Sequence, residues 1–427
     1  MDVRKRVLLP SVRDTLPTPR VGSTVARFAV PTVVVVALCT LFVGFAHKSI
    51  CANGDFTELT YRAYCYTDVI PLYRDQGLSD GRVPYLDGPN DYPVVTGLFM
   101  WVASLAGRGE GRFFLTNAAA LAILALATAW LLARHVGLRS LYFAAAPTLF
   151  LYAFLNWDLL AVFLATAGTV AFLHRRDVGS GVLLGLGAAA KIYPGLLLIP
   201  FALERFRTGE RAAAARIATA GVCTWLVVNA PFAILGREGW TYFFRFNSAR
   251  PPTSATFWYP VCRAVSGVPS CNDVTLINLT SLIGFVVLAA VLWRVKLRRE
   301  PSFPRWTFGL PLLVAFLLTT KVYSPQYSLW LVPWFALVLP NLRLFVLFEA
   351  ADAAVFVTEF SYLGGLHGMP GMPLWALVIA VAARAAVLVA ILADYLRGDG
   401  AVWRASAPPL IRATDPPVSD PRDPSDL

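Results

Sequence analysis

Apolar runs that approach the length needed to cross a hydrocarbon layer of ~30 Å recur from residue 28 to residue 393, and they limit the fold more than any other feature. The first covers 28–46. Further candidates are 113–133, 141–156, 158–173, 179–192, 193–203, 217–235, 275–293, 308–320, 328–340, 344–360 and 372–393. In hydrocarbon, backbone N–H and C=O groups must be paired within the protein, so only helices and closed barrels cross. The runs lack the apolar–polar alternation of barrel strands. The expectation is therefore an all-α polytopic membrane protein with about twelve transmembrane helices. Composition agrees: 57% of the residues are hydrophobic and 15% charged, and the mean hydropathy is +0.60, outside the range of soluble domains. The net charge of +11 would suggest nucleic acid in a soluble protein. Here it reads as anchoring charge against membrane lipid, with no nucleic acid partner.

Charge decides how the runs are threaded. Residues 1–27 carry Arg4, Lys5, Arg6, Arg13, Arg20 and Arg27 among prolines and read as a disordered basic arm, which puts the N-terminus in the cytoplasm. The run 28–46 is too long for a signal-peptide core and reads as an uncleaved span. The run 93–107 is short and reads as an interfacial half-helix in the first outer loop, with Trp101 at headgroup level. Parity then sends Arg134–Arg139, His174–Arg176, Arg205–Arg216, Arg294–Arg299 and the turn at Arg343 to the cytoplasm, each a short basic connection. The outer face receives the loops 47–112 and 236–274 and the helix ends at Asn156, Lys191, Asn229 and Lys321. Residues 398–427, rich in Pro, Asp and Ser, read as a disordered cytoplasmic tail, which leaves 28–397 as one membrane domain.

The polar residues that a lipid-facing helix cannot use thus collect on one side. A transporter would place them near mid-bilayer on broken helices, and no internal repeat is visible. An enzyme acting on a membrane-anchored substrate would gather them at one interface. In the first loop Asp68 is followed by Tyr73, Tyr85 and Tyr92, so a carboxylate sits among aromatic walls, where it can take a proton from a hydroxyl. Asp55 is the rival acid. Asn156 and Asp158 flank Trp157 at a helix junction, either as helix caps or as contacts to a substrate hydroxyl. Lys191, with Tyr193 beside it, and Lys321, with Ser324, Gln326 and Tyr327 after it, stand at the outer ends of their runs. They either snorkel or form a cation pair for an anionic leaving group. Between 240 and 250, Arg245, Asn247 and Arg250 interleave with aromatics, as an interfacial belt or as a platform for a sugar ring or lipid phosphate. There are four histidines, no HExxH, no CxxC, no phosphate-binding glycine loop and no dinucleotide fingerprint. No metal or cofactor is expected, and the driving energy must arrive with the substrate.

Taken in order, Cys65-Tyr-Thr-Asp-Val-Ile-Pro-Leu-Tyr73, Gly81-Arg-Val-Pro-Tyr85, Asp91-Tyr-Pro93, Asn156-Trp-Asp158, Lys191-Ile-Tyr-Pro194 and Lys321-Val-Tyr-Ser-Pro-Gln-Tyr-Ser-Leu-Trp330 resemble glycosyltransferase family 87. The likeness spans about residues 28–395. The resemblance implies the GT-C fold, a polyprenyl-phosphate sugar donor, and a lipid-linked glycan acceptor on the outer face of the plasma membrane. It also implies an inverting, metal-independent mechanism whose aspartate base falls on Asp68. Mannose is the first choice of sugar and arabinofuranose the alternative; a lipid or glycan transporter is the rival from another class.

Four cysteines, Cys51, Cys65, Cys262 and Cys271, fall on the outer face, where disulfides can form. Of the three connectivities, Cys51–Cys65 with Cys262–Cys271 closes short loops and is preferred; cross-pairing of the two outer loops is the second choice. Cys39 and Cys223 lie inside runs and are expected to be reduced and buried. Arg384 in the last run and Asp352 in the preceding one reach similar depth when antiparallel, so an ion pair is expected.

Overall fold

The computed structural model describes residues 23–264 and 273–398, and all regular structure among them is helical. The start of the basic arm, the tail beyond residue 398 and Cys271 lie outside the described residues. Five helices are long and apolar enough to cross a membrane: Phe28–Asn53, Glu110–Ala144, Arg211–Leu235, Val274–Arg299 and Leu374–Arg397. Val227, Ile234 and Leu235 stand exposed on the third of these and Val286 and Val287 on the fourth, as side chains facing lipid would.

These five long helices contrast with the dozen spans expected, because several apolar runs are divided. The helix Asp177–Ala190 stops where Lys191 adopts extended backbone, and two short helices, Tyr193–Leu196 and Leu198–Arg207, follow. Pro194 opens the first of these, where its missing N–H leaves no bond unmade. Tyr193-Pro194 therefore marks a turn between helices and not a kink within one. Val94–Ser104 is a helix of 11 residues, the short element expected after the first loop. Leu342–Leu366 is long, yet it carries buried Glu349, Asp352 and Glu359 and turns them inward.

Small residues let these helices approach closely. Gly181 and Gly185 share one face of Asp177–Ala190 against Arg211–Leu235. A Cβ at Gly181 would lie 2.5 Å from the Ile217 carbonyl oxygen, and one at Gly185 would lie 2.4 Å from that of Gly221. Such contact replaces the hydrophobic driving force that helices lack in lipid.

Deep charges are paired. Arg384 donates to Asp352 at 3.0 Å and to the Ala255 carbonyl at 2.6 Å, and it lies over the Tyr323 ring. Asp352 also accepts from Tyr152 Oη at 2.6 Å and Ser328 Oγ at 2.5 Å. The expected pair is present inside a wider network. Cys39 and Cys223 are free, but both are exposed, contrary to expectation; a thiol is apolar enough to sit on an outward helix face.

Replacing Gly185 by Leu should force these backbones apart and cost about 1–3 kcal/mol or more, while Gly111→Ala, with nothing within 4 Å of its added carbon, should be near neutral. Thermal unfolding of the two solubilised variants checks this; equal midpoints would contradict the close approach.

Candidate active site

The first loop is fixed from both ends. A disulfide joins Cys51, near the end of the Ser23–Asn53 helix, to Cys65, with a Cα–Cα separation of 5.6 Å. Two residues further on, Thr67 Oγ1 donates to the Phe154 carbonyl at 2.7 Å. The Asp68 N–H donates to the Leu155 carbonyl at 2.8 Å. These bonds bring Asp68 to Asn156, some ninety residues away in the chain. Asp68 opens the short helix Val69–Asp75 but makes no side-chain cap bond to it, so its carboxylate is left for other partners.

Those partners are two donors. Tyr66 Oη donates to Oδ1 at 2.5 Å and Asn156 Nδ2 donates to Oδ2 at 2.6 Å. Burial first, and then the Asp68 charge, hold the Tyr66 phenol well above its ordinary pKa, so it keeps its proton. Asn156 also donates to Tyr92 Oη at 2.7 Å and accepts from the Trp157 N–H at 2.6 Å, which fixes its amide. Lys48, fully buried, donates to the Tyr66 carbonyl at 2.7 Å and lies against the Phe356 ring. The base candidate is thus braced by a tyrosine that a lysine holds in turn.

Asp68 opens into a cavity of about 720 Å³. The segments that charge parity put on one face converge there: the first loop, Asn156, Lys191, the Arg237–Ala249 helix with the chain after it, and Lys321 to Trp330. Lys191 and Lys321, 130 positions apart, both line the cavity with largely buried side chains, so neither snorkels. Lys191 pairs with Asp158 at 3.3 Å and lies over the rings of Tyr92 and Tyr327. Lys321 donates to the Ser248 and Arg250 carbonyls at 3.0 and 2.6 Å. Burial and the nearby Arg250 guanidinium push its ammonium down to about 8. Arg250 lines the same cavity and makes no ion pair within 4 Å among the described residues, with the Asp91 carboxylate its acidic neighbour, which leaves it the cation freest to meet an anion.

Tyr92, Asn156, Tyr193, Asn247, Ser324, Gln326 and Tyr327 also line the cavity. Five expected contacts do not. Asp55 caps the helix Phe56–Arg62 by accepting from the Glu58 N–H at 3.0 Å, so the rival acid is a structural cap. Asp158 is completely buried between Lys191 and Trp330, whose indole N–H donates to it at 2.8 Å; there it is the counterion of Lys191 and makes no cap bond. Tyr73 packs on Phe113 and accepts from the Gly109 N–H. Tyr85 donates to the Tyr92 carbonyl at 2.9 Å and packs on Phe232. Arg245 faces the neighbouring groove between residues 85–89 and the Arg237–Ala249 helix, where it reaches the Glu238 carbonyl.

The carboxylates that do share the cavity with Asp68 are Asp91 and Glu359. Burial pushes the Asp91 carboxyl above its usual range, opposed by its Gln76 contact and Arg250. Glu359 went unnoticed in the sequence, as did Lys48 and Ser254. The signal for the first two was an acid and a base set in or beside apolar runs, which lipid does not tolerate unless they turn inward.

Asp68→Asn should lower turnover by ~10²–10⁴-fold with the fold intact, because the amide is nearly isosteric. Asp55→Asn should change turnover little. An active Asp68 variant beside a dead Asp55 variant would reverse the assignment. Activity should also fall as pH rises through about 8 while Lys321 loses its charge, and Lys321→Arg should abolish that limb; an unchanged alkaline profile in the arginine variant would contradict it.

The chain matches Glycosyltransferase family 87 over residues 91–325, more than half of its length, a stretch that holds Asn156, Lys191 and Lys321 but begins after Asp68. No curated protein matches the sequence. Among solved structures, ArnT from Cupriavidus metallidurans in the apo state is similar at 13% identity, covering 72% of this chain and 67% of that one, with a TM-score of 0.38. With more than half of its residues matched, the chain belongs to glycosyltransferase family 87.

Proposed function

We propose that this glycosyltransferase is a GT-C-type enzyme of the plasma membrane. It moves a sugar, mannose in our reading, from polyprenyl phosphate to a lipid-linked glycan acceptor on the outer face, and inverts the anomeric centre. The observation that carries this reading is the placement of Asp68. It is a carboxylate held by Tyr66 and Asn156 at the wall of a cavity whose other groups include Lys191, Lys321 and Arg250.

Chemically, the acceptor hydroxyl gives its proton to Asp68 while its oxygen forms a bond to the anomeric carbon. The bond from that carbon to the phosphate oxygen breaks, and polyprenyl phosphate leaves with the electron pair. The two hydrogen bonds already made to Asp68 orient its carboxylate without covering both of its oxygens. Each oxygen accepts one bond and retains a lone pair for the incoming proton. Negative charge that collects on the leaving phosphate needs a fixed cation in a site that excludes water. Arg250 serves first, since Lys191 is already matched by Asp158 and Lys321 holds two carbonyls. The guanidinium fork also suits a phosphate better than an ammonium does.

An apolar recess of about 290 Å³ shares Tyr92, Pro93, Ile192, Phe243 and Phe244 with the cavity wall and is also lined by Trp225 and Trp240. It fits the first isoprene units of the donor. The short helices around Lys191 would complete the crossing in pairs, and the basic connections would face the cytoplasm, with both termini there.

Purified protein should transfer label from polyprenyl-phosphomannose, in preference to polyprenyl-phosphoarabinofuranose, to a mannosylated phosphatidylinositol acceptor. Arg250→Met should reduce that transfer by ~10²-fold, the scale for loss of one transition-state charge contact. Preferred use of the arabinose donor would replace the sugar in this reading. Use of neither lipid, with transfer from a nucleotide sugar, would overturn it.

A further inference from the structure

Glu359 is a buried acid that the reaction above does not use. It projects from the Leu342–Leu366 helix, is 5% exposed, and lines the Asp68 cavity. Its Oε1 accepts from Ser254 Oγ, and the Ala255 N–H lies against the same carboxylate. Its Oε2 is buried and has no hydrogen-bond partner among the described residues. Arg384 is the cation that would ordinarily serve it, but that guanidinium is committed to Asp352 and to the Ala255 carbonyl. Gln326, 3% exposed and lining the same cavity, likewise has an amide oxygen without a donor.

Buried acceptors without donors are costly. Both belong to one braced wall. The Thr253 N–H donates to the Lys321 carbonyl at 3.0 Å, and the Tyr323 N–H donates to Thr253 Oγ1 at 3.0 Å. These bonds hold Ser254, and through it Glu359, against the segment that carries Gln326. The helix turn bearing Glu359 also touches the tyrosine that holds Asp68: Phe360 packs on Tyr66, whose phenol donates to Asp68, with ring centroids 5.4 Å apart.

A carboxylate oxygen repels a phosphate, so the part of the substrate that satisfies Glu359 is a hydrogen-bond donor, and the donors a sugar lipid brings are its neutral hydroxyls. We propose that Glu359, assisted by Gln326, forms a hydroxyl-recognition subsite that grips the hydroxyls of a sugar ring beside Asp68 and discriminates among sugars. This rests on the polyprenyl-phosphate-sugar reading given above. As a carboxylate Glu359 offers only acceptors, whereas the Gln326 amide can turn either end to the ligand, so Glu359 is the stronger determinant.

The test uses full-length protein in nanodiscs. Binding is measured for short-chain polyprenyl-phosphomannose and polyprenyl-phosphoarabinofuranose, for the same bare polyprenyl phosphate, and for a mannosylated phosphatidylinositol. Glu359→Gln keeps an oxygen for Ser254 and turns an N–H₂ donor toward the ligand; Gln326→Met removes the second acceptor at similar volume. The expected result is ~10–100-fold weaker binding of the sugar donor by Glu359→Gln, a several-fold loss with Gln326→Met, and unchanged binding of bare polyprenyl phosphate, which also shows that the variants are folded. Weakening confined to the mannosylated lipid would support the same subsite with the acceptor as its ligand. Sugar lipids bound equally by wild type and both variants would overturn the subsite and leave the function standing. A wild type that binds no sugar lipid more tightly than bare phosphate would overturn the function, and the subsite with it.

Discussion

The bonds between the first loop and the turn at residues 154–156 are what the rest of the site depends on. Thr67 and the Asp68 N–H seize two carbonyls that the chain leaves free before the Asp158–Leu173 helix, and Asn156 then closes on the Asp68 carboxylate. One short contact between distant segments satisfies exposed backbone and aims the acid at the cavity. The disulfide at Cys51–Cys65 and the Lys48 bond to the Tyr66 carbonyl restrain the same loop from the side of the first helix. A carboxylate held this way loses little freedom when a ligand arrives, which suits the role of base proposed for Asp68, since a fixed site lowers a barrier.

Charge follows a common rule through the membrane domain. Arg384 meets Asp352 and Lys191 meets Asp158, and Glu349 takes two bonds from Thr148. A buried charge left single is far more costly than a pair. Against that background the groups with bonding capacity to spare stand out: Asp68 keeps lone pairs, Glu359 keeps a bare oxygen, and Arg250 keeps its charge. All three line one cavity. The bonds that stabilise the fold and the capacity reserved for substrate can thus be separated by asking which polar atoms are already used.

Much of this was legible in the sequence because hydrocarbon permits few solutions. The helical class followed from apolar runs without alternation, and segments that the short basic connections assigned to one face meet at one cavity. What could not be read was the partner of each polar group. Asp55 and Asp68 look alike as acids in one loop, and only the three-dimensional structure shows that one caps a helix while the other does not. The partner of Asp158, Lys191, lies two helices and the turn between them away in sequence, beyond the reach of local patterns. The number of spans was hard to read because an apolar run looks the same whether it is one crossing or two short helices that meet at Pro194. Glu359 was hidden by the run around it, although an acid in such a run is itself a sign that one helix face looks inward.

A structure of the protein with a bound polyprenyl-phosphate sugar, determined by electron cryomicroscopy in nanodiscs, is the most direct measurement. The donor phosphate should lie beside Arg250 and Lys321, with its anomeric carbon facing the Asp68 carboxylate across room for one acceptor hydroxyl and its isoprene chain in the recess lined by Tyr92 and Phe243. A donor whose sugar lies in a different pocket, or whose anomeric carbon is screened from Asp68 by the Tyr92 and Asn156 side chains, would contradict the assignment of this cavity as the place where the glycosidic bond is made.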